Sequence, residues 1–452
     1  MSLSSLPNEI FHAILVPTVQ VRGVKRALRL RLVSQSWSSM VLDAIFDADI
    51  LADPGLAPWL SCFWARYITC RIMRLERQQL SRPLRIIRQV AERVLASRGE
   101  RPVGDALREY VFEISQIPTR INRAFQDYKA WLEVPQQDEQ EGLANGVVPQ
   151  DDEAFRQTLL AAAAYTDEIA LVRELFPATR DAPYLIYHDG RRTANAILGY
   201  PLDLAAFKGN IAVTRLLLEH IAESDTGGRG DSAVVHYASE GNKLGTLEVG
   251  LEYGKHHGAL ISNMHSTTNV DVFKRLLDFG YKYFNTHHRL RVGIPDDMLF
   301  RSFAPGSFDH AAQTGEIPLM EYLLQLGMSP NGWLDDKPEA YNNFISKAAE
   351  NGHYSAVAYL LEKGVKIGSR SIEAAAKHGS HRIVQLLLTR NKKGAEGLGR
   401  ALLQAVKREN EPIFRLLVNN GARMDKDTKE RALRFATEEG LESMVELMRE
   451  YG

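Results

Sequence analysis

Three carboxylates fall within five residues of this chain: Asp335, Asp336 and Glu339, in the stretch GWLDDKPEAYNNFISKAAENGH. Carboxylates held close together repel, so one acquires a raised pKa and can serve as a general base. The same group can clamp a guanidinium or an amine. The spacing also has a plain structural meaning. Asp336-x-x-Glu339 is a capping-box spacing with Pro338 in the first helical turn, and a cap of this kind contributes about 1 kcal/mol. Capping leaves Asp335 over. The capping reading needs a helix whose first turn includes Pro338 and Glu339.

A second chemistry lies in residues 65–101, which hold ten arginines and three glutamates. Arg71, Arg74 and Arg77 are spaced by three, and so are Arg82, Arg85 and Arg88. That spacing keeps each trio on one side of a helix. Guanidiniums aligned in this way suit phosphate oxygens, so the six are candidate tRNA-binding residues. The alternative is a solvated amphipathic helix whose arginines pair with acidic residues further along the chain. Residues 1–130 carry 19 Lys+Arg against 12 Asp+Glu, although the whole chain has a net charge of −1.

Other signals carry less. His256–His257 and His287–His288 are adjacent pairs whose members point apart, whereas zinc needs converging ligands, so no metal is expected. TGGRG at 226–230 lacks the Lys-Ser/Thr of a P-loop, and RGDS at 229–232 sits in a Gly-rich stretch. Cys62 and Cys70 lie about 12 Å apart along a helix, too far for a disulfide. Two thiols without a disulfide, no apolar run of membrane-spanning length and no basic-then-apolar leader give a cytoplasmic or nuclear expectation.

The elements that must position these residues repeat. Two small residues, two variable ones and a Gly are followed one helix later by paired Leu, as in YPLDLAAFKGNIAVTRLLLEH (200–220) and SIEAAAKHGSHRIVQLLLTRN (371–391). The second small position falls at 164, 206, 238, 265, 312, 349, 376, 406 and 437, a mean period of about 34. The pattern resembles the ankyrin repeat, with Pro201, Leu202, Ala205, Ala206 and Gly209 matching its signature. The small pair lets two helices approach closely, and the Gly ends the first of them. The fold class is therefore all-α: an ankyrin-repeat solenoid of about nine degenerate repeats over 154–452. The largest insert, roughly 281–306, reads as a loop.

Upstream, residues 134–153 are Gln-, Gly- and acid-rich without periodicity and read as a flexible linker. Residues 50–133 are an Arg-rich helical region. Residues 1–49 open with Leu6-Pro7, place Ile10, Ile14 and Leu15 on one helical face, and put Leu28, Leu32, Val33 and Trp37 on the next helix. This head resembles an F-box, although its middle is unusually basic for one. The resemblance implies docking to the adaptor subunit of a cullin ubiquitin ligase. Head, helices and degenerate array together look like a large class of fungal proteins.

The Asp-Asp-x-x-Glu motif resembles that of the fungal arginine-containing cyclodipeptide synthases. The resemblance covers Asp335 to Glu339 only. It implies an enzyme of secondary metabolism that takes arginine and a second amino acid from aminoacyl-tRNAs and joins them into a diketopiperazine. Asp335, Asp336 and Glu339 would then be the essential catalytic carboxylates, with no cofactor. Two functions follow as expectations: this synthase, or a non-enzymatic adaptor recruiting a protein substrate to a ubiquitin ligase.

Overall fold

The computed structural model describes residues 7–30, 35–48, 63–117, 147–175, 197–223, 230–254, 262–287, 296–331, 344–368, 370–391 and 398–451. Among them the regular structure is helical throughout: 22 α-helices and two short 3-10 turns. The chain divides between Val234 and Val235 into two compact units.

The first unit begins with α1 (Asn8–Leu30) and α2 (Gln35–Asp47), which pack on each other through Phe11 and Trp37, ring centroids 4.7 Å apart. α1 contains Pro17 and kinks at Gly23, whose φ of 71° no branched residue tolerates well. Leu28, expected on a helix after the first, lies in the helical segment that follows this break, within the same α1. Leu32 and Val33 lie outside the described residues.

Three helices follow: α3 (Trp64–Arg74), α4 (Arg82–Ser97) and α5 (Gly104–Ser115), with a 3-10 turn at Arg77–Gln79. α4 buries Leu84, Ile86, Ile87, Val90, Val94 and Leu95. It is covered on one side by α5 and on another by α6 (Glu153–Tyr165), the first helix of the array. The end of the expected linker is part of this packing. Val148 is buried, and both its backbone groups are held by Gln89: Val148 N–H donates to Oε1 at 3.0 Å, and Nε2 donates to the Val148 carbonyl at 2.8 Å. Asp152 then caps α6, accepting from Phe155 N–H at 3.0 Å.

The array alternates first and second helices at the read period. The pairs are α6 with α7 (Ile169–Leu175), α8 (Pro201–Lys208) with α9 (Ile211–Glu223), and α10 (Gly230–Glu240) with α11 (Leu244–Tyr253). In the fourth pair the first helix shrinks to a 3-10 turn, Ser262–Ser266, before α12 (Val270–His287). The rest are α13 (Asp296–Thr314) with α14 (Ile317–Gln325), α15 (Phe344–Glu350) with α16 (Tyr354–Glu362), α17 (Ser371–His378) with α18 (His381–Arg390), α19 (Leu398–Lys407) with α20 (Glu411–Asn419), and α21 (Lys426–Glu438) with α22 (Glu442–Glu450). First helices stack on one another from α13 through α15, α17 and α19 to α21. Their fully buried small pairs, such as Ala311–Ala312, Ala348–Ala349 and Ala375–Ala376, permit the approach.

The expected loop at 281–306 is a correction. Residues 281–287 belong to α12 and 296–306 to α13. Its Gly and Pro content suggested a loop, but Phe300, Ala304, Phe308 and Ala311 are buried at helical spacing, and that apolar face prevails even with Pro305 inside the helix.

Candidate functional site

Asp335, Asp336 and Glu339 lie outside the described residues, which stop at Asn331 and resume at Phe344. Two described carboxylates at comparable places, ahead of a first helix of a repeat, are caps. Asp425 accepts from Thr428 N–H at 2.8 Å and from its hydroxyl at 2.9 Å, and these bonds hold its carboxyl below the ordinary range. Asp152 caps α6 as described above.

The six arginines do not form one row. Arg71 and Arg74 are on α3, whereas Arg77 sits in the separate 3-10 turn; the expected single helix ends at Leu75. Arg85 is buried and donates from Nε to the Leu80 carbonyl at 2.9 Å. Arg88 reaches the Ile72 and Leu75 carbonyls at 3.2 and 3.3 Å, closing the C-terminal end of α3, and also bonds Glu92. Arg77 pairs with Glu92 at 2.7 Å, Arg82 with Asp152 at 2.6 Å, and Arg74 with Asp43 and Asp47. Arg71 donates to the Tyr67 hydroxyl at 2.9 Å. Nearby, Arg93 pairs with Glu174 and Arg98 with Glu168.

The second unit presents a cleft of about 430 Å³ across three successive first helices. Ser346, Lys347 and Glu350 come from α15; Arg370, Glu373, Ala374 and Lys377 come from α17 and the residue before it; Arg400 comes from α19. Ser346, one of the lining residues, is buried, and its hydroxyl meets that of the fully buried Ser371 at 3.1 Å. Both carboxylates are occupied. Glu350 pairs with Lys377 at 2.6 Å. Glu373 receives Arg400 Nε at 3.4 Å and the Gln404 amide at 3.3 Å. Among the described residues, Lys347 and Arg370 have no ion pair. Asp309 on α13 lies close enough to feel Lys347; burial pushes its carboxyl up, and the Lys347 and His310 charges only partly offset this.

This site was missed in the sequence, though a signal was present. Arg370 and Arg400 each precede the second small residue of their repeat, Ala376 and Val406, by six positions. Repeat register therefore stacks them.

Residues 372–452 match the family model of ankyrin repeats, in three copies. The match covers the last of the repeats read above and four of the eight residues that line the cleft. No curated protein matches the chain. Among the described residues, no helix is long and apolar enough to cross a membrane.

Proposed function

We propose that this chain is a non-catalytic adaptor whose repeat array holds a protein partner. The observation that carries the reading is the open, charged cleft built on the equivalent faces of three successive repeats. Such a surface recruits an extended partner by matching many side chains at once, and ankyrin arrays commonly bind proteins. The head supports a second contact. Ile10, Ile14 and Val21 on α1 are 51%, 43% and 88% exposed, an apolar stripe at helical spacing. With the F-box resemblance, that stripe fits docking to the adaptor subunit of a cullin ubiquitin ligase. Mixing the purified full chain with the purified ligase adaptor subunit should give a complex by size-exclusion chromatography. Ile10→Glu with Ile14→Glu should weaken it at least tenfold. No complex with the unaltered chain refutes the head's role.

One observation favours a second reading, the arginine-containing cyclodipeptide synthase. The Asp335-Asp336-x-x-Glu339 motif directly precedes α15, the helix that supplies Lys347 and Glu350 to the cleft. On this reading, one carboxylate deprotonates the attacking α-amine and another holds the arginyl side chain; each of the two amide bonds forms as an aminoacyl ester bond breaks and the terminal ribose hydroxyl of that tRNA leaves. A host expressing this gene alone should then accumulate a cyclic arginyl dipeptide, detected by mass spectrometry. Changing any of the three carboxylates to Ala should abolish it. Absence of the product ends this reading.

A further inference from the structure

We propose that the cleft on α15, α17 and α19 binds an acidic segment of the partner, with Lys347 and Arg370 as the groups that hold its carboxylates. The inference rests on the adaptor reading and adds the partner's chemistry. Four cations line the cleft against two carboxylates. Each carboxylate already has a cation of its own, Glu350 with Lys377 and Glu373 with Arg400. The surplus positive charge therefore falls on Arg370 and on Lys347, the second of which also lies within electrostatic reach of the half-buried Asp309 on α13.

Burial sharpens the preference. Lys347 is half-buried and Arg370 exposed, so the site is partly shielded yet open to a ligand. A cationic segment would be repelled, and a neutral one would leave two cations unanswered in a partly desolvated groove. Geometry suggests how the segment runs. Arg370 and Arg400 occupy equivalent positions on stacked helices, which pack about 8–10 Å apart. In a polyproline II segment, with three residues per turn, residues three apart lie on one face and are separated by about 9 Å. Carboxylates at every third residue would meet successive repeats in register.

The test uses the full-length chain and three synthetic ten-residue peptides, measured by fluorescence anisotropy. One has Glu at every third position among Ala; the others have Gln or Lys at the same positions. The Glu peptide should bind at least tenfold more tightly than either. Lys347→Glu with Arg370→Glu should weaken it at least tenfold without changing the circular dichroism spectrum, since neither side chain holds an internal ion pair. Glu373→Gln releases Arg400 and should tighten it about threefold. That gain separates recognition from loss of folding. Equal or tighter binding of the Gln or Lys peptide overturns the inference and leaves the array a binding surface of another preference. Tighter binding of a single-stranded RNA at the same residues overturns it in favour of a nucleic acid. If no peptide binds, the inference fails. The head's complex with the ligase adaptor, which involves none of these residues, then shows whether the adaptor reading fails with it.

Discussion

Single residues in this protein show how burial, more than sequence spacing, decides what a charge does. Asp309 is an ordinary Asp in the sequence, but burial lifts its carboxyl above the ordinary value of 3.8 despite the nearby Lys347. A raised carboxyl favours the folded state in its neutral form. That favourable contribution is complete below about pH 3.8 and is lost as pH rises through the higher folded value. Asp309→Asn removes the titration, so it should raise the melting temperature at pH 7 and have a smaller effect near pH 4. Equal shifts at both pH values would mean that burial is not the dominant influence on Asp309. Arg88 illustrates the reverse case. Read as a phosphate ligand, it instead closes the end of α3 through the Ile72 and Leu75 carbonyls. Arg88→Met keeps the stem and removes charged hydrogen bonds, and should cost about 1.5–3 kcal/mol in urea unfolding. A loss below about 0.5 kcal/mol would return Arg88 to the surface as a free cation.

At the scale of elements, the repeat period was legible because two physical demands recur together. A small pair recurs wherever first helices stack, and Gly is favoured where the first helix ends in a left-handed turn, although Asp167 and Glu409 hold that position at φ 64° and 51°. Gly379, with φ 89°, and Gly209, with φ 95°, show the second demand directly. Gly352, with φ 79°, carries an added constraint: a Cβ there would run into the His378 imidazole from the next repeat. The imidazole is exposed and can turn aside by giving up its bond to the Glu350 carbonyl, so Gly352→Ala should cost about 1–2 kcal/mol of backbone strain plus a small steric part. Adding His378→Ala should recover the steric part and leave the strain. A double-mutant cycle by urea unfolding measures the coupling, and additivity would refute the contact. Less regular elements were harder to read. The 281–306 insert looked like a loop because Gly, Pro, His and Asn outweighed a four-residue apolar face. The fourth repeat looked degenerate because only a 3-10 turn survives there, with Met264 in place of an Ala pair. The cleft is not legible in local patterns because it is assembled from residues about 27–30 apart, each ordinary in its own helix.

For the whole molecule, the question is where the basic excess of the N-terminal region goes. Summed along the chain, it looks like an offer to a polyanion. Folded, Arg74 pairs with Asp43 and Asp47, Arg77 with Glu92, Arg82 with Asp152, Arg93 with Glu174 and Arg98 with Glu168. Three of those acids, Asp152, Glu168 and Glu174, lie beyond residue 130, so the imbalance over 1–130 is partly an artefact of where the count stops. Breaking these exposed pairs costs little, about 0.2–1 kcal/mol each, so they could in principle be surrendered to phosphates. Arg85 and Arg88 could not, because each is tied to backbone carbonyls inside the packing. A six-arginine phosphate track would give a salt slope of roughly −4 to −5 in a plot of log affinity against log salt. The folded arrangement leads us to expect a slope shallower than about −2 for unfractionated tRNA, measured by anisotropy between low and physiological salt. Arg82→Ala, Arg93→Ala and Arg98→Ala together should lower the melting temperature while leaving that slope unchanged. A slope near −5 that falls on these substitutions would show the arginines leaving their internal partners for phosphate. It would restore the tRNA face that the synthase reading requires.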